Sequence, residues 1–111
     1  MSIPVPLPDL PDTMSRFGLA PYLLTVGPDA TPHAASVTVE WSEGRLLAGA
    51  GRRTAANLRS NEALALLWPP PSPGDYSLIV DGWGAVRESG PHLVVMIQPM
   101  SAVLHVTARS P

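Results

Sequence analysis

The chain has 111 residues and contains neither cysteine nor lysine. Without cysteine there are no disulfides and no thiolate metal sites. All seven basic residues are arginines, set against nine acidic ones for a net charge of −2, and they form no basic stripe. A nucleic-acid role is therefore not expected. Charged residues make up only 14% of the chain, where a typical globular domain has about 25%. No run of 18 apolar residues exists, so no membrane-spanning helix is expected. The opening MSIPVPLPDLPDT has no basic start and no long apolar stretch, so it does not read as a signal peptide, and the cytoplasm is the expected location. His33, His92 and His105 are too scattered for a metal-binding pair. No Gly-x-Ser-x-Gly turn is present. Glu40, Glu43, Asp75 and Asp81 form no evident acid/base pair, so no catalytic residue can be named.

What is present is apolar surface, proline and glycine. Apolar residues are 45% of the chain, with 14 prolines and nine glycines. That many helix breakers argue against a mostly helical fold. The length suits one domain, too small to bury every apolar side chain. Association with a second copy is the common remedy, so a homodimer is expected.

The punctuation divides the chain into short elements. Residues 1–13, with Pro4, Pro6, Pro8 and Pro11, read as an extended arm. A single domain is expected over residues 14–111. Residues 14–19 can form one helical turn ended by Gly18, and 21–26 read as a strand. In 33–41, Ala35, Val37, Val39 and Trp41 alternate with Ser36, Thr38 and Glu40, the period of a half-buried strand. With Ser42-Glu43-Gly44 and the strand 45–48 it makes a hairpin. Residues 54–61 are the best helix, with Thr54 as its cap. Strands follow at 63–68, at 76–88 with a bend at Gly82 and Gly84, at 92–98 and at 102–108. Six or seven strands and one short helix predict a mainly β fold, an antiparallel barrel or sandwich.

Three features can carry function. Gly49-Ala50-Gly51 delivers Arg52, Arg53 and Thr54 to a helix start, where free N–H groups and arginine suit a phosphate. A solvated loop with two arginines has the same sequence. Ser36, Thr38 and Glu40 can face a planar ligand, or simply water. Trp41, Trp68 and Trp83 are half of the six aromatics; each can wall a flat ligand, fill an interface or pack the core.

Three stretches taken in order, YLLTVGPDATPHAASVTVEW, GRLLAGAGRRTAANLRSNEALALLW and YSLIVDGWGAV, resemble the pyridoxamine 5′-phosphate oxidase-like superfamily of flavin-binding split β-barrels. The likeness covers residues 20–88 and is nearest to short actinobacterial-type members. It implies a six- or seven-stranded antiparallel split barrel, a homodimer and an FMN site shared between two copies. The family's Ser-Arg-Lys triplet falls on Arg52-Arg53-Thr54, with the arginine matched at Arg53 and the lysine replaced by Thr54. Its helix-ending asparagine matches Asn61, and its aromatic-Trp-Pro-Pro segment resembles Leu67-Trp68-Pro69-Pro70. Ser77 stands where the oxidases have a cofactor-contacting glutamine.

The cofactor-binding positions so implied on the strands are Ser36, Val37, Thr38, Ala48 and Gly49. Those implied at the helix start and beyond are Arg52, Arg53, Thr54, Trp68 and Ser77, with Arg53 as the phosphate anchor. The implied activity is that of an FMN- or F420-dependent oxidoreductase acting on a small unknown substrate. Some relatives bind haem, for which His33 or His105 would be the ligand to test. The segment that completes the vitamin B6 site of true oxidases has no counterpart before Pro111, so vitamin B6 oxidation is not expected. The alternative from another class is a non-catalytic ligand-binding protein or a cofactor-free interaction dimer.

Overall fold

The computed structural model describes residues 1–108; the last three residues of the expected 14–111 domain, 109–111, lie outside it. Eight strands and two α-helices occur among the described residues: β1 (Ser2–Pro4), α1 (Leu10–Ser15), β2 (Tyr22–Val26), β3 (Pro32–Ser36), β4 (Val39–Ser42), β5 (Arg45–Ala50), α2 (Arg52–Ser60), β6 (Ala63–Trp68), β7 (Ser77–Ser89) and β8 (His92–His105). Every pairing is antiparallel, in the order β3-β2-β6-β7-β8-β5-β4, with β1 added to the far end of β8. The expected mainly β architecture is the one observed.

The sheet closes through its two edge strands. Val37 N–H donates to Pro21 O at 3.1 Å and Val39 N–H to Leu19 O at 2.8 Å. The chain thus runs along the segment before β2 until it becomes β4 and meets β5. The inward side of this path keeps the expected alternation, with Val39 buried and Ala35 and Val37 half-buried. Around it pack Leu23, Leu46, Leu66, Leu78, Val80 and Ile97, each fully buried.

Several expected boundaries move. The strand expected over 33–41 is two, β3 and β4, divided at Val37 and Thr38, so the hairpins are β2–β3 and β4–β5. The proline-rich first residues contain β1, a 3-10 turn at Leu7–Asp9 and the start of α1, which buries Leu10 and Met14. The two strands expected at 92–98 and 102–108 are one strand. Pro99, which has no N–H to offer a ladder, sits at a bulge where the register passes from Asp81↔Ser101 to Gly82↔Pro99. Gly82 permits this: a Cβ there would collide with the Gln98 carbonyl. Gly84, two residues on, lies beneath α2, where a Cβ would meet Leu64 Cδ2 at 2.6 Å and Leu58 Cδ1 at 3.3 Å. These two glycines bend β7 and let the helix seat on the sheet.

Candidate functional site

The outward side of β4, β5, β8 and β7 is built by register. Glu40 pairs with Leu47, Gly49 with Val94, and Val94 with Arg87. Directly paired residues share a face, so Gly49, Val94 and Arg87 form one row across three strands. Thr38 and Glu40, exposed by the same alternation, flank it. A groove of about 400 Å³ follows this row, lined by Thr38, Glu40, Ala48, Gly49, Arg87 and Ser89 among others. A second hollow of about 650 Å³ shares Gly49, Ser89 and Val94 with it and extends to Gly51, Arg52 and His92. The two are one trough, running from the polar strand face to the start of α2.

The helix cap lies three residues before the expected one. Gly51, extended at φ −75° and ψ 172°, is the N-cap, and Arg52 is the first helical residue. Ala55 N–H already donates to Gly51 O at 3.0 Å, so the N–H groups left free of the helix ladder are those of Arg52, Arg53 and Thr54. Thr54 is therefore not the cap. Its side chain is 1% exposed and turns inward with Ala55 and Leu58, so the hydroxyl is not offered to the trough. Asn57 Nδ2 donates to Thr25 Oγ1 at 3.1 Å in the interior, pinning α2 to β2. Asn61 follows as the C-cap, with its Oδ1 accepting from Ala63 N–H at 3.0 Å.

The two arginines part company. Arg52 lines the trough. Arg53 is exposed and acts electrostatically on Asp29, in the β2–β3 turn. The Asp29 carboxyl is held below its ordinary value by the Thr31 hydroxyl at 2.7 Å and the Thr31 N–H at 3.1 Å, with a smaller contribution from the Arg53 charge.

The structure thus brings Thr38, Ala48, Gly49 and Arg52 together and places the other candidates elsewhere. Ser36 is exposed on β3 opposite Tyr22, and Val37 turns half inward. Trp68 is 1% exposed and its indole N–H donates to Gly18 O at 2.9 Å; it packs the core, with no face open to a ligand. Ser77 is nearly buried and its hydroxyl donates to the His105 carbonyl at 3.1 Å. His105 lies beside Ser2, with its Nδ1 3.2 Å from the Ser2 hydroxyl. Arg87, Ser89 and His92 complete the trough and were not singled out from sequence. The signal for Arg87 was present in the alternation of β7, which puts Trp83, Ala85 and Arg87 outward.

The outward face also carries uncovered apolar side chains. Tyr22 is 45% exposed, Val26 38% and Trp83 50%. Leu24, His33, Ala34, Ala63 and Ala65 line a shallow apolar cavity of about 390 Å³ nearby. Among the described residues, no helix is long and apolar enough to cross a membrane.

No protein-family model matches the chain. Uncharacterized proteins of Mycobacterium bovis and Mycobacterium tuberculosis are each 41% identical over 58 residues, which is 50% of this chain and 41% of theirs. The match thus spans about two fifths of the curated relatives' length. Among solved structures, a candidate pyridoxamine 5′-phosphate oxidase from Listeria innocua superposes with a TM-score of 0.69 at 19% identity, covering 86% of this chain and 97% of that one. An F420 reductase gives 0.65 at 18% identity, covering 82% and 94%. The haem storage protein HutZ of Vibrio cholerae gives 0.69 at 12% identity, covering 89% and 92%.

Proposed function

Because this chain has the split-barrel fold of pyridoxamine 5′-phosphate oxidase-like proteins, we propose that it is a homodimer binding a phosphate-bearing flavin-type cofactor, FMN or F420, and that it acts as an oxidoreductase on a small molecule in the cytoplasm. The observation that carries this is the trough from Thr38 and Gly49 to Arg52. Its floor is open at Gly49 and Gly51, where a Cβ would meet nothing within 4 Å, so a flat ring system can lie close to the backbone. Its far end supplies what a phosphate needs: the free N–H groups of Arg52, Arg53 and Thr54, the positive end of α2 and the Arg52 guanidinium.

Such a cofactor, when bound, supplies hydride transfer. The protein's own part is to hold and orient it. Arg52 fixes the phosphate, and the Arg53 charge adds to the field. Thr38 offers a hydroxyl at the ring end, and Leu47 and Val94 line the trough with apolar surface that excludes water. The exposed Tyr22, Val26 and Trp83 support dimerisation.

The test is spectroscopic. The purified protein is expected to carry or take up a chromophore absorbing at about 450 nm, a flavin property. Arg52→Ala is expected to weaken FMN by roughly 10- to 150-fold, the worth of one charge-assisted hydrogen bond, about 1.5–3 kcal/mol. Arg53→Ala should cost less. Riboflavin, which lacks the phosphate, should bind both variants as it binds the parent protein. Equal losses for FMN and riboflavin would refute the phosphate assignment. A colourless protein that takes up neither FMN nor F420 would favour the cofactor-free interaction dimer, and absorption near about 400 nm would point to haem.

A further inference from the structure

The geometry points to a second, carboxylate-binding subsite in the trough, formed by Arg87 and Ser89 and facing the substrate rather than the cofactor. It rests on the cofactor reading only for what fills the Arg52 end. Arg87 and Gly49 lie two strands apart in one outward row through Val94, which is about 10 Å across the sheet. Arg52 lies three residues beyond Gly49, in the part of the trough that Ser89 and His92 also line. The trough therefore holds two separate arginines, Arg87 on its β7 side and Arg52 at the start of α2.

The Arg87 end has a chemistry of its own. Arg87 brings a planar fork of donors matched to a carboxylate. Ser89, two residues on along β7, lines the same hollow. Leu47 and Val94 give it an apolar side. Glu40 stands on the opposite side of that hollow, which disfavours a second negative charge there. The occupant that fits is a small molecule with one carboxylate and an apolar body. A phosphate held at Arg52 would leave this end free, so the two anions need not compete.

Benzoate is a suitable probe, and benzamide its uncharged counterpart. The intact protein, labelled with ¹⁵N, is titrated with each while the amides of Gly49, Ser89 and Val94 are followed. Benzoate should shift these amides and bind at least about 10-fold more tightly than benzamide, as expected for a charge-assisted contact. Arg87→Gln should erase that preference, with unchanged peak dispersion reporting an intact fold. Arg52→Gln should leave it in place while weakening FMN. On FMN-saturated protein, where the ring covers Gly49, benzoate should still shift the Ser89 amide and keep its preference over benzamide.

Equal binding of benzoate and benzamide, or an Arg87→Gln protein that still prefers benzoate, overturns the subsite. Displacement of benzoate by FMN assigns the anion to the cofactor and overturns the substrate assignment. A protein that takes no FMN but shows the Arg87-dependent benzoate preference refutes the cofactor reading and upholds the subsite.

Discussion

Gly82→Ala tests the bulge that joins the two halves of β8. The added methyl would be driven into the Gln98 main-chain carbonyl, with Pro99 Cα at 3.4 Å behind it. Forcing one extra methyl into a packed site costs about 1–3 kcal/mol. Alanine also restricts the unfolded chain more than glycine does, which offsets about 0.4–1 kcal/mol. The net expectation is destabilisation by roughly 1–2 kcal/mol. With a urea slope of about 1–3 kcal/mol/M for a small protein, the midpoint should fall by roughly 0.5–1.5 M. Unfolding must be followed at one protein concentration, since any self-association would make stability depend on it. The rescue pattern is more telling than the loss. Gln98→Ala should not relieve Gly82→Ala, because the obstructing atom belongs to the backbone. Gly84→Ala meets mainly side chains, Leu64 Cδ2 at 2.6 Å and Val95 Cγ1 at 3.1 Å. Leu64→Ala, destabilising by itself, should therefore recover part of that second loss. A Gly82→Ala protein as stable as the parent would show that the bulge needs no glycine, and the account of the continuous β8 would fail.

Other expectations follow from the same contacts. Asn57→Ala leaves the buried Thr25 hydroxyl without its donor and should cost about 1–3 kcal/mol by chemical denaturation; pairing Asn57→Leu with Thr25→Val should cost less than the two single losses summed. Trp68→Phe removes the bond to Gly18 O and a buried ring, with an expected loss of roughly 1–3 kcal/mol and a measurable drop in melting temperature. The Asp29 carboxyl should titrate below 3.8 by NMR. Its folded value is depressed, so whatever it adds to stability is present above 3.8 and fades as pH falls through the folded value. Thr31→Val should raise its midpoint more than Arg53→Gln does, because the hydroxyl is the larger cause.

Much of the barrel was legible because burial imposes a period of two. The alternation through residues 33–41 gave the correct inward and outward sides even though the run is two strands. Periodicity cannot show where a strand changes partners; that depends on Val37 and Val39 bonding to the residues before β2. Pro99 argued for a strand break, and only the register with Gly82 reveals a bulge instead. The aromatic-Trp-Pro-Pro likeness pointed Trp68 toward a ligand, yet an apolar strand between two others buries its inward residues whatever their type, and here the indole finds a backbone acceptor.

The site itself turned on helix phase. A helix advances about 100° per residue, so placing the cap at Thr54 rather than Gly51 changes which side chains face the sheet. With the first turn at Arg52, the inward positions fall on Thr54, Ala55 and Leu58, and the threonine that a cap assignment offers to the phosphate is committed to packing. The same phase separates two adjacent arginines, of which only Arg52 lines the trough. A family triplet aligned by residue type favours Arg53, because only there does an arginine stand at the matching position. The groove favours Arg52, because lining a cavity depends on direction as well as on charge. Relative FMN losses in Arg52→Ala and Arg53→Ala therefore measure more than the strength of either contact: a larger loss at Arg53 would place the phosphate on the Asp29 side of α2, outside the trough, and would separate the cofactor from Thr38 and Gly49 altogether.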